Sequence, residues 1–207
     1  MFDQNVVEQA DRLSQVKLKR VVFAWAVLVL LGYGSMVFYS TAPAKSAVAV
    51  GKFPANSALS LGNSLTLITF LHPQCPCSRA TVSELEGLLA QRNLSGSLRA
   101  YVLVSKPSGC SEAFIKGAVV DSLAHIRDVQ VLIDNDDVES RRFGAKASGQ
   151  TLLFDRNGRC LFSGGITAAR GEVGANAGVD ALRQYLAGGR ASICKTPVFG
   201  CSLESSQ

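Results

Sequence analysis

Hydrophobic positions along the chain fall into one long uninterrupted block, followed by a series of short runs. Val21 to Tyr39 (VVFAWAVLVLLGYGSMVFY) carries no charged residue. At 1.5 Å per residue it is long enough to cross a hydrocarbon core of about 30 Å. Beyond it, Ser64–Leu71 (SLTLITFL) is a continuous apolar, β-branched run, the pattern of a strand buried on both faces. Ser78 to Arg92 places Val82, Leu85, Leu88 and Leu89 at helical spacing, with Glu84 and Glu86 facing away. Ser97–Val104 reads as a second strand, and Ser111 opens a helix with Phe114, Ile115, Val119 and Leu123 on its inner side. Val129–Asp134 is a third strand. Asp136 to Phe143 is a short charged helix closed by Gly144. TLLFD-RNGR-CLFSG forms a hairpin with Asn157-Gly158 at its turn, and Val179 to Leu186 a last helix.

That order, β-α-β-α-β-α-β-β-α, predicts an α/β domain with a mixed central sheet and helices on both faces. Right-handed crossovers make the first three strands parallel, so their C-terminal ends share one edge, where open α/β sheets place their sites. Residues 72–77, 105–110 and 134–137 leave the strands at that edge, and Ser148-Gly149-Gln150 enters the hairpin beside it.

Charge fixes the topology of the apolar block. Lys17, Lys19 and Arg20 crowd its N-terminal flank, while only Lys45 and Lys52 lie near the other side. Lys and Arg stay cytoplasmic, so residues 1–20 are expected inside, 21–40 in the membrane and the bulk of the chain outside. Trp25 and Tyr33 sit within the span and Tyr39 at its interfacial end. Ala42-Pro43-Ala44 resembles a signal-peptidase site, but typical signal cores run only about 7–15 apolar residues, which favours an uncleaved anchor. Residues 41–62, rich in Ala, Ser and Gly, read as a flexible linker. Residues 63–188 are the globular domain and 189–207 a tail. The net charge of +5 belongs partly to the membrane flank, and no basic stripe with interleaved aromatics points to nucleic acid.

The chemistry concentrates at Cys75-Pro76-Cys77, where the first strand gives way to a helix. Amides and the dipole at a helix N-terminus stabilise a thiolate, which attacks a disulfide sulfur; a nearby second thiol resolves the mixed disulfide. Pro76 limits backbone freedom, and a disulfide across one intervening residue closes a tight, labile ring.

The strand-then-cysteine entry LITFLHPQCPCSRAT, the run RRFGAKASGQTLLFDRNGR and the final hairpin and helix resemble the thioredoxin superfamily over roughly residues 60–188. The inserted strand and helix at 129–143 look like its membrane-anchored TlpA-like branch. SGGITAARG and TPVFGCSL look like a less-characterised RedB-like group within it. The resemblance implies a thioredoxin-like fold, Cys75 as the attacking thiol, and protein thiols or disulfides of the extracytoplasmic space as partners. It implies no cofactor. By the same resemblance Ser148, Gly149, Gln150 and Thr151, with Pro76, form the substrate platform. The chain departs from the family in three ways. His72-Pro73-Gln74 replaces the usual Trp-led approach, the family's second cysteine falls on Ser78, and its cis-proline falls on Gln150. Cys77 is therefore a new cysteine.

Cys160 sits in a strand pattern and reads as core. Cys110, just past the second strand, is a candidate resolving thiol. Cys194 and Cys201 lie in the tail, where a mutual disulfide suits an oxidising compartment. Nineteen residues after Gly188 span up to about 60 Å, so Cys201 also reaches the active edge as a candidate resolving thiol. Two other classes of reading stay open. His72, Cys75 and Cys77 form a soft donor set suited to Cu(I) in a copper-delivery protein. Alternatively, the fold is a non-catalytic docking module that uses the Gly-rich stretch 164–178 and the tail. Arg170, Glu172 and Asn176 of that stretch are placed to close over a substrate. Asp134 to Asp137 and Arg141-Arg142 read as a solvated face.

Overall fold

The computed structural model describes residues 4–44, 50–90 and 98–203, without the side chains of residues 4–14 and 16. The predicted helix end at Arg92, the strand start at Ser97 and linker residues 45–49 lie outside the described residues. The chain divides into two units, Met1–Thr41 and Ala42–Gln207. The first holds helix α1 (Gln4–Thr41), whose Lys17–Thr41 portion is long and apolar enough to cross a membrane. Its apolar side chains, Phe23, Trp25, Leu28 and Phe38 among them, are exposed. A membrane span must be apolar all round, because lipid replaces the protein core as its surroundings.

The second unit follows the predicted order. It comprises β1 (Leu65–Leu71), α2 (Pro76–Leu89), β2 (Leu98–Lys106), a 3-10 turn at Glu112–Ile115 and α3 (Ala118–Leu123). Next come β3 (Val129–Asn135), α4 (Val138–Arg142), β4 (Thr151–Asp155), β5 (Cys160–Gly164) and α5 (Ala177–Leu186). The five strands form one sheet in the order β3-β2-β1-β4-β5. β1 pairs in parallel with β2, and β2 with β3, while β4 runs antiparallel to β1 and to β5. The central strand β1 is buried on both faces: Leu67 and Leu71 pack with Leu85, Leu88, Phe162 and Leu182 on one, Ile68 and Phe70 with Phe143, Leu152 and Phe154 on the other. The continuous apolar run had that cause.

Several expectations need correction. The helix expected from Ser111 splits into a 3-10 turn and α3, because Gly117, at φ 144°, adopts a backbone that an α-helix does not contain. Asp134 is buried rather than solvated, its carboxylate accepting from the Glu139 and Ser140 amides (2.9 and 2.8 Å) and the Ser140 hydroxyl (2.7 Å). A carboxylate can be buried when donors replace its water.

Linker residues 50–62 are not a free tether but part of the domain. Phe53 stacks edge-on against Phe143 and Phe154 (5.1 and 5.4 Å), Leu59 is buried, and Lys52 bridges Arg159 on the hairpin. Glu139 holds this segment, accepting from Ser57 Oγ (2.6 Å) and the Ala58 amide (3.0 Å). The stretch after Gly188 is likewise no free tail. Residues 194–197 run beside β5, and Val198, Phe199 and Leu203 are buried.

Candidate functional site

The site is built at the C-terminal end of β1. His72 to Gln74 turn the chain, and Cys75 takes the N-cap position of α2 with extended backbone (φ −81°, ψ 120°). Pro76 occupies the first helical turn, where its missing N–H has no intrahelical partner to lose. Cys75 is buried, and its sulfur accepts from the Cys201 amide at 3.4 Å.

Burial alone would raise the Cys75 thiol. The Cys201 thiol and amide, with the Cys77 and Ser78 amides facing the sulfur from the helix mouth, outweigh it and hold the group below the ordinary thiol value. Those two helix amides act by direction and dipole, without closing a full capping bond. Cys77 shifts the other way, through burial first and then the charge and bond of Cys75, with Arg170 opposing. Cys201 is pushed up to about 12 by burial and by its bond to Cys75. The surroundings thus favour the anion at Cys75 and the neutral thiol at Cys77 and Cys201. Arg170 reaches this group from the Gly-rich stretch, and its guanidinium donates to the Gly200 carbonyl at 2.9 Å.

The residues expected as substrate platform lie just beneath. The hydroxyl of Ser148 accepts from the His72 amide (2.9 Å) and bonds the Ser78 hydroxyl (2.7 Å), which itself donates to the His72 carbonyl (2.9 Å). Ser78, where the family carries its second cysteine, is therefore a clasp between the cysteine loop and the hairpin entry. Gly149 takes φ +88°, and a Cβ there would stand 2.9 Å from Thr81 Oγ1. Gln150 is buried; its peptide is trans, its amide donates to the Ala147 carbonyl, and its side-chain oxygen accepts from the Lys146 amide at 3.2 Å. Thr151 is buried and bonds Thr69 and the Gly149 carbonyl. The Ser148 N–H donates to the Cys201 carbonyl at 2.8 Å.

Of the predicted site residues, the structure brings together Cys75, Cys77, Cys201 and the Ser148 backbone. Cys110 is half-buried, turned back on Pro107, and is not among the groups that bond the Cys75 sulfur. Cys194 is exposed and stands near Cys160, and all six cysteines are free thiols. The soft-metal set is not assembled. His72 Nδ1 accepts from the Gln74 amide (3.2 Å), its ring meets Phe114 edge-on, and burial lowers its pKa despite Asp137. Among the described residues no three His, Cys, Asp or Glu side chains are grouped to hold a metal ion. Of the residues thought to close over a substrate, Glu172 is exposed and Asn176 caps α5, accepting from Val179 N at 2.8 Å. Glu84, expected to face solvent, is buried and accepts from the Gly174 amide at 2.5 Å, tying the Gly-rich stretch to α2.

No protein-family model and no curated protein sequence matches the chain. Its structure is similar to that of a conserved protein from Geobacillus kaustophilus (TM-score 0.57, 18% identity, covering 80% of this chain and 93% of that one). It is also similar to a hypothetical protein from Sinorhizobium meliloti (0.56, 18%, 81% and 97%). A weaker similarity is to a secreted disulfide oxidoreductase from Mycobacterium tuberculosis (0.45, 14%, 62% and 84%). The sheet order β3-β2-β1-β4-β5, three parallel strands followed by an antiparallel hairpin, is a thioredoxin-like fold. Within this domain the cysteine pair occupies the mouth of the first helix after the central strand.

Proposed function

We propose that the protein is a membrane-anchored thiol-disulfide oxidoreductase of the extracytoplasmic space, related to the TlpA-like branch, with Cys75 as its nucleophile. The observation that carries this reading is the Cys75 sulfur at the N-cap of α2, accepting from the Cys201 amide at 3.4 Å, where its surroundings hold the thiol below its ordinary pKa. The Cys75 thiolate attacks one sulfur of a partner disulfide. The partner's S–S bond breaks, its other sulfur leaves as a thiolate, and a mixed disulfide forms on Cys75. A neighbouring thiol then displaces the partner from the Cys75 sulfur. The exchange draws on no cofactor, only on the thiols and the dipoles around them. The Ser148 N–H, bonded to the Cys201 carbonyl in this structure, supplies a backbone donor for an extended partner segment once that bond opens, with Gly149, Gln150 and Thr151 holding that turn from within.

An uncleaved α1 anchors the domain, and the cationic flank at Lys17, Lys19 and Arg20 keeps the N-terminus inside. Alkylation of the full chain in detergent, followed across pH, tests the chemistry. One thiol is expected to react fast well below the pH at which an ordinary cysteine does, lost in Cys75→Ser and kept in Cys110→Ser. Equal reactivity at all six cysteines would sink the reading.

A further inference from the structure

The segment after Thr196 is built into the site with a closeness that only particular residues allow. A Cβ on Gly200 would stand 1.9 Å from the Ser148 carbonyl oxygen, one on Gly164 would stand 2.1 Å from Thr196 Oγ1, and one on Gly165 would stand 2.6 Å from the Pro197 carbonyl. Glycine at these three positions lets the strap lie directly on the hairpin and on the loop before it. There it forms a short ladder: Ser148 N donates to the Cys201 carbonyl (2.8 Å), Leu203 N to the Lys146 carbonyl (2.9 Å), and Ala147 bridges Ser202 in antiparallel fashion. Val198, Phe199 and Leu203 anchor the strap by burial, and Arg170 holds the Gly200 carbonyl. Cys201 is thereby delivered to the Cys75 sulfur from a separate stretch of backbone.

We propose that this strap is a built-in partner strand and that Cys201, rather than Cys77, is the thiol that resolves the mixed disulfide on Cys75. The inference rests on the oxidoreductase reading above and deepens it. A foreign extended segment that uses the Ser148 N–H must displace residues 200–203, because the strap fills that backbone edge. When the strap returns, the Cys201 sulfur attacks the Cys75 sulfur. The Cys75–Cys201 bond forms, the Cys75–partner bond breaks, and the departing partner thiolate takes up the proton that Cys201 gives. Two thiols of the chain are oxidised and one partner disulfide is reduced to two thiols. Resolution and expulsion of the partner are then one event.

Cys77 is less suited to the bond. Its side chain does bond the Cys75 sulfur, but a disulfide between the two would close a ring over the single residue Pro76, fixed in the first helical turn. Cys201 carries no such restriction, having its own backbone.

The test uses the full chain in detergent, exposed as the reduced protein to glutathione disulfide, then acid-quenched, digested and mapped for disulfides. The wild type and Cys77→Ser are expected to yield a Cys75–Cys201 bond, while Cys201→Ser stops with glutathione on Cys75. Gly200→Ala, which lifts the strap but keeps every thiol, should show slower closure and a build-up of the glutathione adduct. A Cys75–Cys77 bond in the wild type, or resolution in Cys201→Ser as fast as in the wild type, overturns the strap's role and leaves the oxidoreductase reading standing. If Cys75 never takes up glutathione, both fall.

Discussion

The ionisation of a single sulfur shows how the site works at the residue scale. Cys75 is buried, which disfavours a thiolate, yet the donors around it reverse the sign, and the Cys201 thiol is the largest of them. Its folded value lies below the ordinary 9.0, so ionised Cys75 stabilises the native state. That contribution is present above the unfolded thiol value and is lost as pH falls through the folded one. Cys201 runs the other way: its folded value is raised to about 12, so the native state prefers the neutral thiol, and that preference is lost as pH rises from 9 toward 12. Removing the donor should therefore move the acceptor. In Cys201→Ala the midpoint of Cys75 ionisation, read from thiolate absorbance or alkylation rate against pH, is expected to rise, with the backbone amide of residue 201 still limiting the change. A midpoint that stays put or falls would show that the helix mouth alone sets the Cys75 pKa.

Elements with a strong period were legible in the sequence, and those whose surroundings come from elsewhere in the chain were not. The run at Leu65–Leu71 could only be a doubly buried strand, and Asn157-Gly158 between two apolar runs could only be a hairpin turn. Glu84 was misplaced because helical spacing reports which face is apolar, not that Gly174 brings an amide to it. Asp134 was misplaced for a similar reason, its donors lying on the next element. The cysteine pair was legible from its position between a strand and a helix; the Ser78–Ser148 clasp was not, since it joins residues seventy apart that carry no pattern of their own. Helix α1 belongs with the legible elements, because composition alone fixes it. A reporter fused after Gln207 that works only outside the cytoplasm is expected to be active, and the mature chain should retain α1. Activity of a cytoplasm-only reporter would reverse the orientation, and an N-terminus near Ala44 would remove the anchor.

The domain at the scale of the whole molecule is larger than its thioredoxin-like kernel. Boundaries drawn at residues 63 and 188 followed composition: Ala, Ser and Gly before the first strand, and no period after the last helix. Both flanks nevertheless close the fold. Phe53, Leu59 and Leu61 pack on the face of the sheet that carries Phe70, Phe143 and Phe154, and Leu203 joins the same cluster from the other end of the chain. Val198 and Phe199 are buried with it in the strap. Each large apolar side chain taken fully out of water stabilises a fold by about 1.5–3 kcal/mol, and whole domains are stable by only about 5–15 kcal/mol. Losing Leu59, Val198, Phe199 and Leu203 together, with the half-buried Phe53, therefore approaches the entire margin, before counting the two bonds that Glu139 makes to Ser57 and Ala58. A chain cut to residues 42–207, the compact unit, is expected to unfold cooperatively in urea with a well-defined near-ultraviolet spectrum. A chain cut to 63–188 should lose that transition or show it at far lower urea. The two flanks can be told apart by cutting one at a time: residues 63–207 lack the aromatic stack on Phe143, and residues 42–195 lack the strap and the donor to Cys75. If 63–188 unfolds at the same urea concentration as 42–207, the flanks are ornaments on a self-sufficient kernel, and the strap's hold on the site is too weak to expel a partner.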